Sequence, residues 1–207
     1  MKVSFVSKTQ SDRFESTEAL MIYCARVSSA EQDKDEYEKL LRYCINNGHW
    51  SVFEMADMTV EIETSRAIAQ QVLRHRSFSF QELSQRYTPV SGFEEVELRK
   101  QGDSKQGSGE VYSDVDFHHM VTEVQALSMD VYDTMLKHGV SRETARFVLP
   151  LCTTTKMYMK GSVRSWIHYL MVRVDPHTQK EHRLVADEIK KIFSEHFPVT
   201  ARAMSFV

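Results

Sequence analysis

The chain has 207 residues, 42% of them hydrophobic and 27% charged, and its 26 basic against 29 acidic side chains leave a formal charge of -3. Those values suit one globular domain with a sizeable buried core. They exclude a disordered chain and a protein that coats nucleic acid through bulk positive charge, so any anion site has to be a local cluster.

Lys2 to Lys8 alternates apolar and polar side chains and predicts a strand. Helical spacing covers Thr17 to Val27 and then Asp35 to Asn46, where Tyr37, Leu40, Leu41 and Cys44 share a stripe closed by Asn47-Gly48. Glu31 to Lys39, leading into that second helix, reads as a solvated charged face. Met55 to Glu63 alternates again, with Met58, Val60 and Ile62 on the side to be buried. Thr64 or Ser65 caps a helix from Arg66 to about His75. Phe78 to Val90 reads as extended or looping, and the polar stretch Gly92 to Gly109 as a mobile surface insertion. A long helix runs from Asp114 to Lys137 and stops at Gly139. Ser141 to Thr144 has capping-box spacing and opens a short helix that ends by Pro150. Thr153 to Met159 predicts a further strand, and Ser162 to Val172 and Thr178 to about Glu195 two more helices. Strands mixed with helices, without a regular βαβ rhythm, predict an α+β fold in one domain over residues 1–207.

Cys24, Cys44 and Cys152 are an odd set without C-x-x-C spacing, which suits reduced thiols in the cytoplasm. No run approaches the length of a membrane span, and the first residues lack an apolar signal core. His118, His119, His177, His182 and His196 match no common zinc spacing and read as solvated helix faces, so no metal is expected. Met157, Met159 and Met171 read as core filler. Cys152 reads as a small buried hydrophobe and not as a nucleophile.

The densest chemistry lies between Arg74 and Tyr87. Arg74, His75, Arg76, Glu82 and Arg86 are interleaved there with Phe78, Phe80 and Tyr87. Guanidinium forks match phosphate oxygens in pairs, and three of them close together repel unless an anion sits among them. Gln71 lies three residues from Arg74 and four from His75, so all three share a helix face. One arginine at a helix C-terminus is explained by the dipole alone, but the whole set is not. The segment therefore predicts a receptor for a phosphorylated ligand. A nucleic-acid-binding module, with Arg74, Arg76 and Arg86 on phosphates and the aromatics stacked on bases, is the competing reading. The acidic overall balance counts against it.

Arg74-His75-Arg76, seven residues, then Ser84-x-Arg86 resembles the signature of the flavin-dependent thymidylate synthases, the ThyX family. Gly48-His49-Trp50-Ser51-Val52-Phe53-Glu54 resembles an upstream block of that family, and Arg146-Phe147-Val148-Leu149-Pro150 a later one. Arg164, His168 and Arg173 fall at the spacing of its C-terminal helix. The blocks occur in family order through most of the chain. Leu149-Pro150-Leu151-Cys152 superficially resembles the site of the unrelated cysteine-dependent thymidylate synthases, but the blocks around it require no thiol there.

The resemblance implies a single domain with a mixed or antiparallel sheet flanked by long helices. It implies reductive methylation of deoxyuridine monophosphate (dUMP) to dTMP, with tightly bound FAD, 5,10-methylenetetrahydrofolate as one-carbon donor and NADPH as reductant. The flavin carries the chemistry in this family, and the protein supplies binding and electrostatics. By resemblance, Ser51, Arg74, His75, Arg76, Glu82, Arg164 and His168 contact FAD. Ser162 joins them, standing where many members carry Asn. Gln71, Arg74, Glu82, Leu83, Ser84, Gln85, Arg86 and Arg146 hold dUMP, Ser84 as a phosphate-binding hydroxyl. Arg173 lies against the pyrimidine and favours ionisation at N3. At about 100° per residue Arg173 lies far round its helix from Arg164, so the two are expected to serve different ligand groups or different subunits. The resemblance also implies a homotetramer with shared active sites. A related pyrimidine nucleotide hydroxymethylase, using the same flavin and folate, is the nearest alternative reaction.

Overall fold

A computed structural model describes residues 1–30, 32, 34, 37–105 and 107–206. The chain forms two compact units. One comprises Met1–Lys2, Glu63–Arg74 and Gln81–Met157; the other comprises Val3–Ile62, His75–Phe80 and Tyr158–Val207. Strands β1 (Lys2–Lys8), β2 (Asp57–Ser65), β3 (Ser79–Glu82) and β6 (Thr154–Ser162) form a four-stranded sheet in the order β1-β2-β6-β3. With the helices this is the α+β architecture predicted above.

The second unit carries α1 (Thr17–Ala25), α2 (Tyr37–Asn46), α6 (Val163–Arg173), α7 (Lys180–His196) and α8 (Pro198–Ala203). Its core is built from Met21, Ile22, Leu41, Phe53, Met58, Trp166, Ile167, Val185, Ile189 and Phe193, all essentially inaccessible. The Trp166 Nε1–H donates to the Met58 carbonyl at 3.0 Å, so the largest core side chain leaves no polar atom unpaired. Buried Glu18 accepts from the backbone N–H groups of Val199 and Thr200 and from the Thr200 hydroxyl, capping α8 from a distant part of the chain.

The first unit carries α3 (Arg66–Val72), α4 (Val115–Lys137) and α5 (Arg142–Ala145). The first backbone donors of α3 reach the carbonyls of Thr153 and Leu151 at 2.9 and 3.0 Å. Ser65 is its N-cap by position, yet makes no side-chain cap bond. The Ser65 N–H donates instead to Glu94 at 2.8 Å. The helix stops at Val72 and not near His75, because the Arg74 N–H turns back to the Gln71 carbonyl, three residues earlier.

The stretch expected to be extended or looping and the one expected to be a mobile insertion both contain strands. Ser79–Glu82 is an outer strand of the sheet, and Leu83 continues its line by donating to the Lys156 carbonyl at 2.8 Å. The polar insertion folds as an antiparallel pair, β4 (Arg99–Gln101) against β5 (Ser108–Val111), with Arg99 opposite Val111. The Gln101 amide closes its turn by donating to the carbonyls of Ser104 and Gly107. Gly139 ends α4 at φ +84 and Gly48 follows α2 at φ +70, the left-handed stops that the sequence predicts. The predicted start of α2 at Asp35, and four positions of the charged stretch from Glu31 to Glu36, lie outside the described residues. The helix α8 was not predicted, because six residues span too little of the 3.6-residue period to register. Among the described residues no helix is long and apolar enough to cross a membrane.

Candidate active site

Helix α6 carries two groups of polar side chains within the second unit. The first faces the turn Trp50–Glu54, a single 3-10 segment. Arg164 Nη1 lies 3.0 Å from Glu54 Oε1, and the His168 ring centroid lies 4.4 Å from that of Trp50. Ser51 stands exposed on the same turn. The turn and the four-residue spacing on α6 thus bring together Ser51, Arg164 and His168. Burial, and then the Arg164 charge, hold His168 below the ordinary imidazole pKa against the opposing pull of Glu54. The ring is an uncharged donor and acceptor near neutral pH.

The second group lies at the other end of α6. Arg173 Nε donates to His75 Nε2 at 2.9 Å. The Tyr169 ring meets His75 edge-on at 4.9 Å, and the Tyr169 hydroxyl is 3.1 Å from His182 Nε2. Burial first, then the neighbouring Arg173, pushes His75 down to about 4. Burial, Arg173 and His75, in that order, push His182 down to about 3. Both imidazoles are neutral at physiological pH, and burial pushes the Tyr169 phenol up. Arg164 and Arg173 serve different partners, as their angular separation requires.

Phe78 is buried, with its ring 4.6 Å from Trp166 and 5.9 Å from Tyr169. Gly161 makes this possible: a Cβ there would stand 2.4 Å from Phe78 Cδ1. A buried Phe78 cannot stack on a base, which removes one prop of the nucleic-acid reading. Arg74 and Arg76, on either side of His75, are exposed, and their guanidinium groups form no hydrogen bond or ion pair among the described residues.

The remaining predicted residues, Ser162 apart, belong to the first unit. Glu82 Oε1 takes Arg66 Nη1 at 2.8 Å and the Thr155 hydroxyl at 3.0 Å. Arg86 pairs with the Glu143 carboxylate at 3.1 Å, and Arg146 Nε donates to the Glu143 carbonyl at 3.3 Å. Arg86 thus reaches the side chain of Glu143, and Arg146 the backbone of the same residue. Both partners of the Arg86–Glu143 pair are more than half exposed, and such pairs contribute about 0–1 kcal/mol, so an incoming anion can displace the carboxylate. Gln85 is buried, and its Nε2 has no hydrogen-bond partner among the described residues. A buried donor of this kind costs about 1–3 kcal/mol unless something accepts from it. Ser84 Oγ accepts from the Arg86 N–H at 3.4 Å, and Gln71 lies in α3.

Several side chains escaped the sequence reading. Arg66 occupies the first turn of α3, where the dipole disfavours a cation, and that mismatch was the available signal for a nearby carboxylate. His182 is fully buried and not on a solvated face, since the apolar stripe of α7 carries it inward. Met171 is exposed, whereas Met157 and Met159 are core residues as expected. Cys152 is half-buried, accepts from Gln125 Nε2 at 3.3 Å and lines an apolar cavity of about 450 Å³ with Met120, Val124 and Pro150. The hydroxyl of Ser162 is engaged as the N-cap of α6, accepting from the Ser165 N–H at 3.3 Å. Ser141 precedes α5 without the capping bond its sequence suggests, and its hydroxyl meets that of Thr144 at 3.0 Å. No group of three or more metal-ligating side chains occurs among the described residues.

Residues 10–199 match the model of the family described as thymidylate synthase complementing protein. A flavin-dependent thymidylate synthase of Synechocystis is 50% identical over 195 residues, covering 92% of this chain and 91% of its own. Another, from Thermotoga neapolitana, is 35% identical over 185 residues, with 88% and 83% covered. The crystal structure of PolB, a UMP/dUMP methylase of Streptomyces cacaoi bound with 5-Br dUMP, superposes with a TM-score of 0.84 at 28% identity over 99% of this chain and 94% of that one. The motifs, the α+β fold and these relatives agree: the chain belongs to the flavin-dependent thymidylate synthase family.

Proposed function

We propose that the protein methylates dUMP reductively to dTMP, with bound FAD, methylenetetrahydrofolate as carbon donor and NADPH as reductant. The observation that carries this reading is that Arg86 and Arg146 both reach Glu143, one its carboxylate and one its backbone carbonyl, while the buried Nε2 of neighbouring Gln85 has no hydrogen-bond partner among the described residues. A nucleotide phosphate provides oxygens for both guanidinium forks, and a phosphate or carbonyl oxygen satisfies the amide. Gln71, Arg74 and Ser84, with backbone groups of Leu83, complete the nucleotide set.

The donor set also fits a flavin dinucleotide. Arg74 and Arg76 are cations whose side chains have no partner among the described residues, and a pyrophosphate neutralises them. Ser51, Arg164 and His168 present uncharged and cationic donors on one surface of α6 and its facing turn. Ser162 contributes through a hydroxyl shared with its helix cap, and Glu82 through the oxygen that Arg66 leaves free. When bound, the flavin supplies hydride transfer and one-carbon carriage.

The chain's own residues do the electrostatic work. Arg173 places a fixed cation on the pyrimidine, where it stabilises negative charge developing in the ring and makes C5 more nucleophilic. Neutral His75 and His168 avoid adding charge that would compete with that role. The apolar seam of α4 supports the homotetramer. Only Ser128 and Tyr132 of its 23 residues are buried, while Phe117, Met120, Val124, Leu127 and Val131 stand exposed at alternating spacings of three and four. That is the spacing of a helix packed on another helix. The protein acts in the cytoplasm, where its nucleotide and reductant are found.

Product analysis tests the reaction. Purified protein incubated with dUMP, methylenetetrahydrofolate and NADPH is expected to yield dTMP. Accumulation of 5-hydroxymethyl-dUMP would instead establish the hydroxymethylase.

A further inference from the structure

Arginine Nε carries one proton and no lone pair, so it only donates. The bond from Arg173 Nε to His75 Nε2 therefore fixes three things at once. It requires an unprotonated Nε2 on His75, places the proton of that neutral ring on Nδ1, and sets the plane of the guanidinium. With Nε engaged, the two terminal nitrogens of Arg173 remain as a fork for a ligand. His75 is itself held from behind. Tyr169 meets its ring edge-on, His182 lies 6.1 Å away in a T-shaped arrangement, and the Tyr169 hydroxyl is bonded to fully buried His182. Nothing in substrate binding explains why a buried histidine and tyrosine should be locked together at this point.

We infer that His75 is a positioning residue for Arg173, held by the Tyr169–His182 pair, and that it orients the guanidinium fork toward the pyrimidine. The inference rests on the methylation reading above and assigns His75 a duty beyond contacting flavin. Helix α6 supplies Tyr169 and Arg173 one turn apart, α7 supplies His182, and the segment after α3 supplies His75. A side chain as long as arginine has several rotatable bonds, and leaving its plane unset spreads it over many orientations. Misplacing a catalytic group by about 1 Å costs on the order of a hundredfold in rate.

The test compares His75→Gln, which keeps an acceptor near the ε position, with His75→Leu, which removes it, and His75→Asn, which moves it toward the backbone. Flavin bound per protein, dUMP affinity by calorimetry and kcat are measured for each. Leu and Asn are expected to retain flavin while kcat falls by about ten- to a hundredfold. Gln is expected to recover most of that loss. In an Arg173→Ala background the His75→Leu change should add less than about threefold, because the two act as a unit. Loss of flavin with unchanged turnover per bound flavin, or full additivity with Arg173→Ala, would overturn the inference. A second measurement needs neither activity nor a mutant that folds. Nitrogen-15 shifts of labelled histidine in the unmodified protein should show His75 with its proton on Nδ1, and a proton on Nε2 contradicts the assignment. Absence of dTMP formation by the unmodified protein would instead sink the methylation reading and leave this tautomer untouched.

Discussion

Arg66 Nη1 stands 2.8 Å from Glu82 Oε1, and the Thr155 hydroxyl donates to the same oxygen at 3.0 Å. The pair ties the first turn of α3 to the end of β3, and both side chains are largely shielded. Arg66→Ala leaves a half-buried carboxylate with one hydroxyl donor, and a lost bond between charged groups costs about 1.5–3 kcal/mol. Urea unfolding should register a loss of that order, with weaker dUMP binding because Glu82 is no longer held. Unchanged stability and unchanged dUMP affinity would show that Arg66 has no part in arranging Glu82.

Stability should depend on pH through two histidines. His75 and His182 have folded pKa values of about 4 and about 3, against 6.5 for a free imidazole. Between those limits the unfolded chain binds more protons than the folded one, so stability rises with pH across the window. It is fully present above about pH 7 and declines as pH falls through 6 and 5, by at most about 2.7 kcal/mol per pH unit for two groups. Chemical denaturation at pH 7, 6 and 5 measures the slope, and His182→Asn should roughly halve it. A flat profile over this range contradicts the burial of these rings in neutral form.

The proposed homotetramer makes the α4 seam a place where one added charge should tell. Leu127 is 63% exposed at the centre of the seam. Leu127→Glu should leave helix content intact and lower the sedimenting mass, with loss of activity if active sites are shared between copies. An unaltered mass at micromolar concentration would place the subunit contact elsewhere.

Cys152 is expected to be dispensable. Its thiol accepts from the Gln125 amide and lines an apolar cavity of the first unit, with no general base bonded to it among the described residues. Cys152→Ala should form dTMP within about twofold of the unmodified rate and lose no more than about 1 kcal/mol of stability. A folded but inactive variant would reinstate the thiol as a nucleophile.

Motif spacing proved more legible than the networks behind the motifs. The alternation in β1 and β2, the glycine stops at Gly48 and Gly139 and the helix start at Ser162 are local signals, and each reappears in the fold. The face shared by Arg164 and His168 was legible for the same reason, since a spacing of four fixes it. The partners were not. Arg86 joins Glu143, and Arg66 joins Glu82, across separations that no periodicity encodes. His182 was misread because a histidine amid the charges of α7 looks solvated until the direction of the apolar stripe is known. The strand β3 was legible only as extended or looping chain, because its composition is polar, which an outer strand tolerates.

Visible absorbance of the purified protein during dUMP titration tests the central claim most directly. The account predicts an oxidised-flavin spectrum that NADPH bleaches and that shifts saturably with dUMP. In Arg173→Ala the flavin should remain bound while the dUMP-dependent shift is weakened. A colourless protein that takes up no FAD, or a bound flavin whose spectrum ignores dUMP, contradicts it.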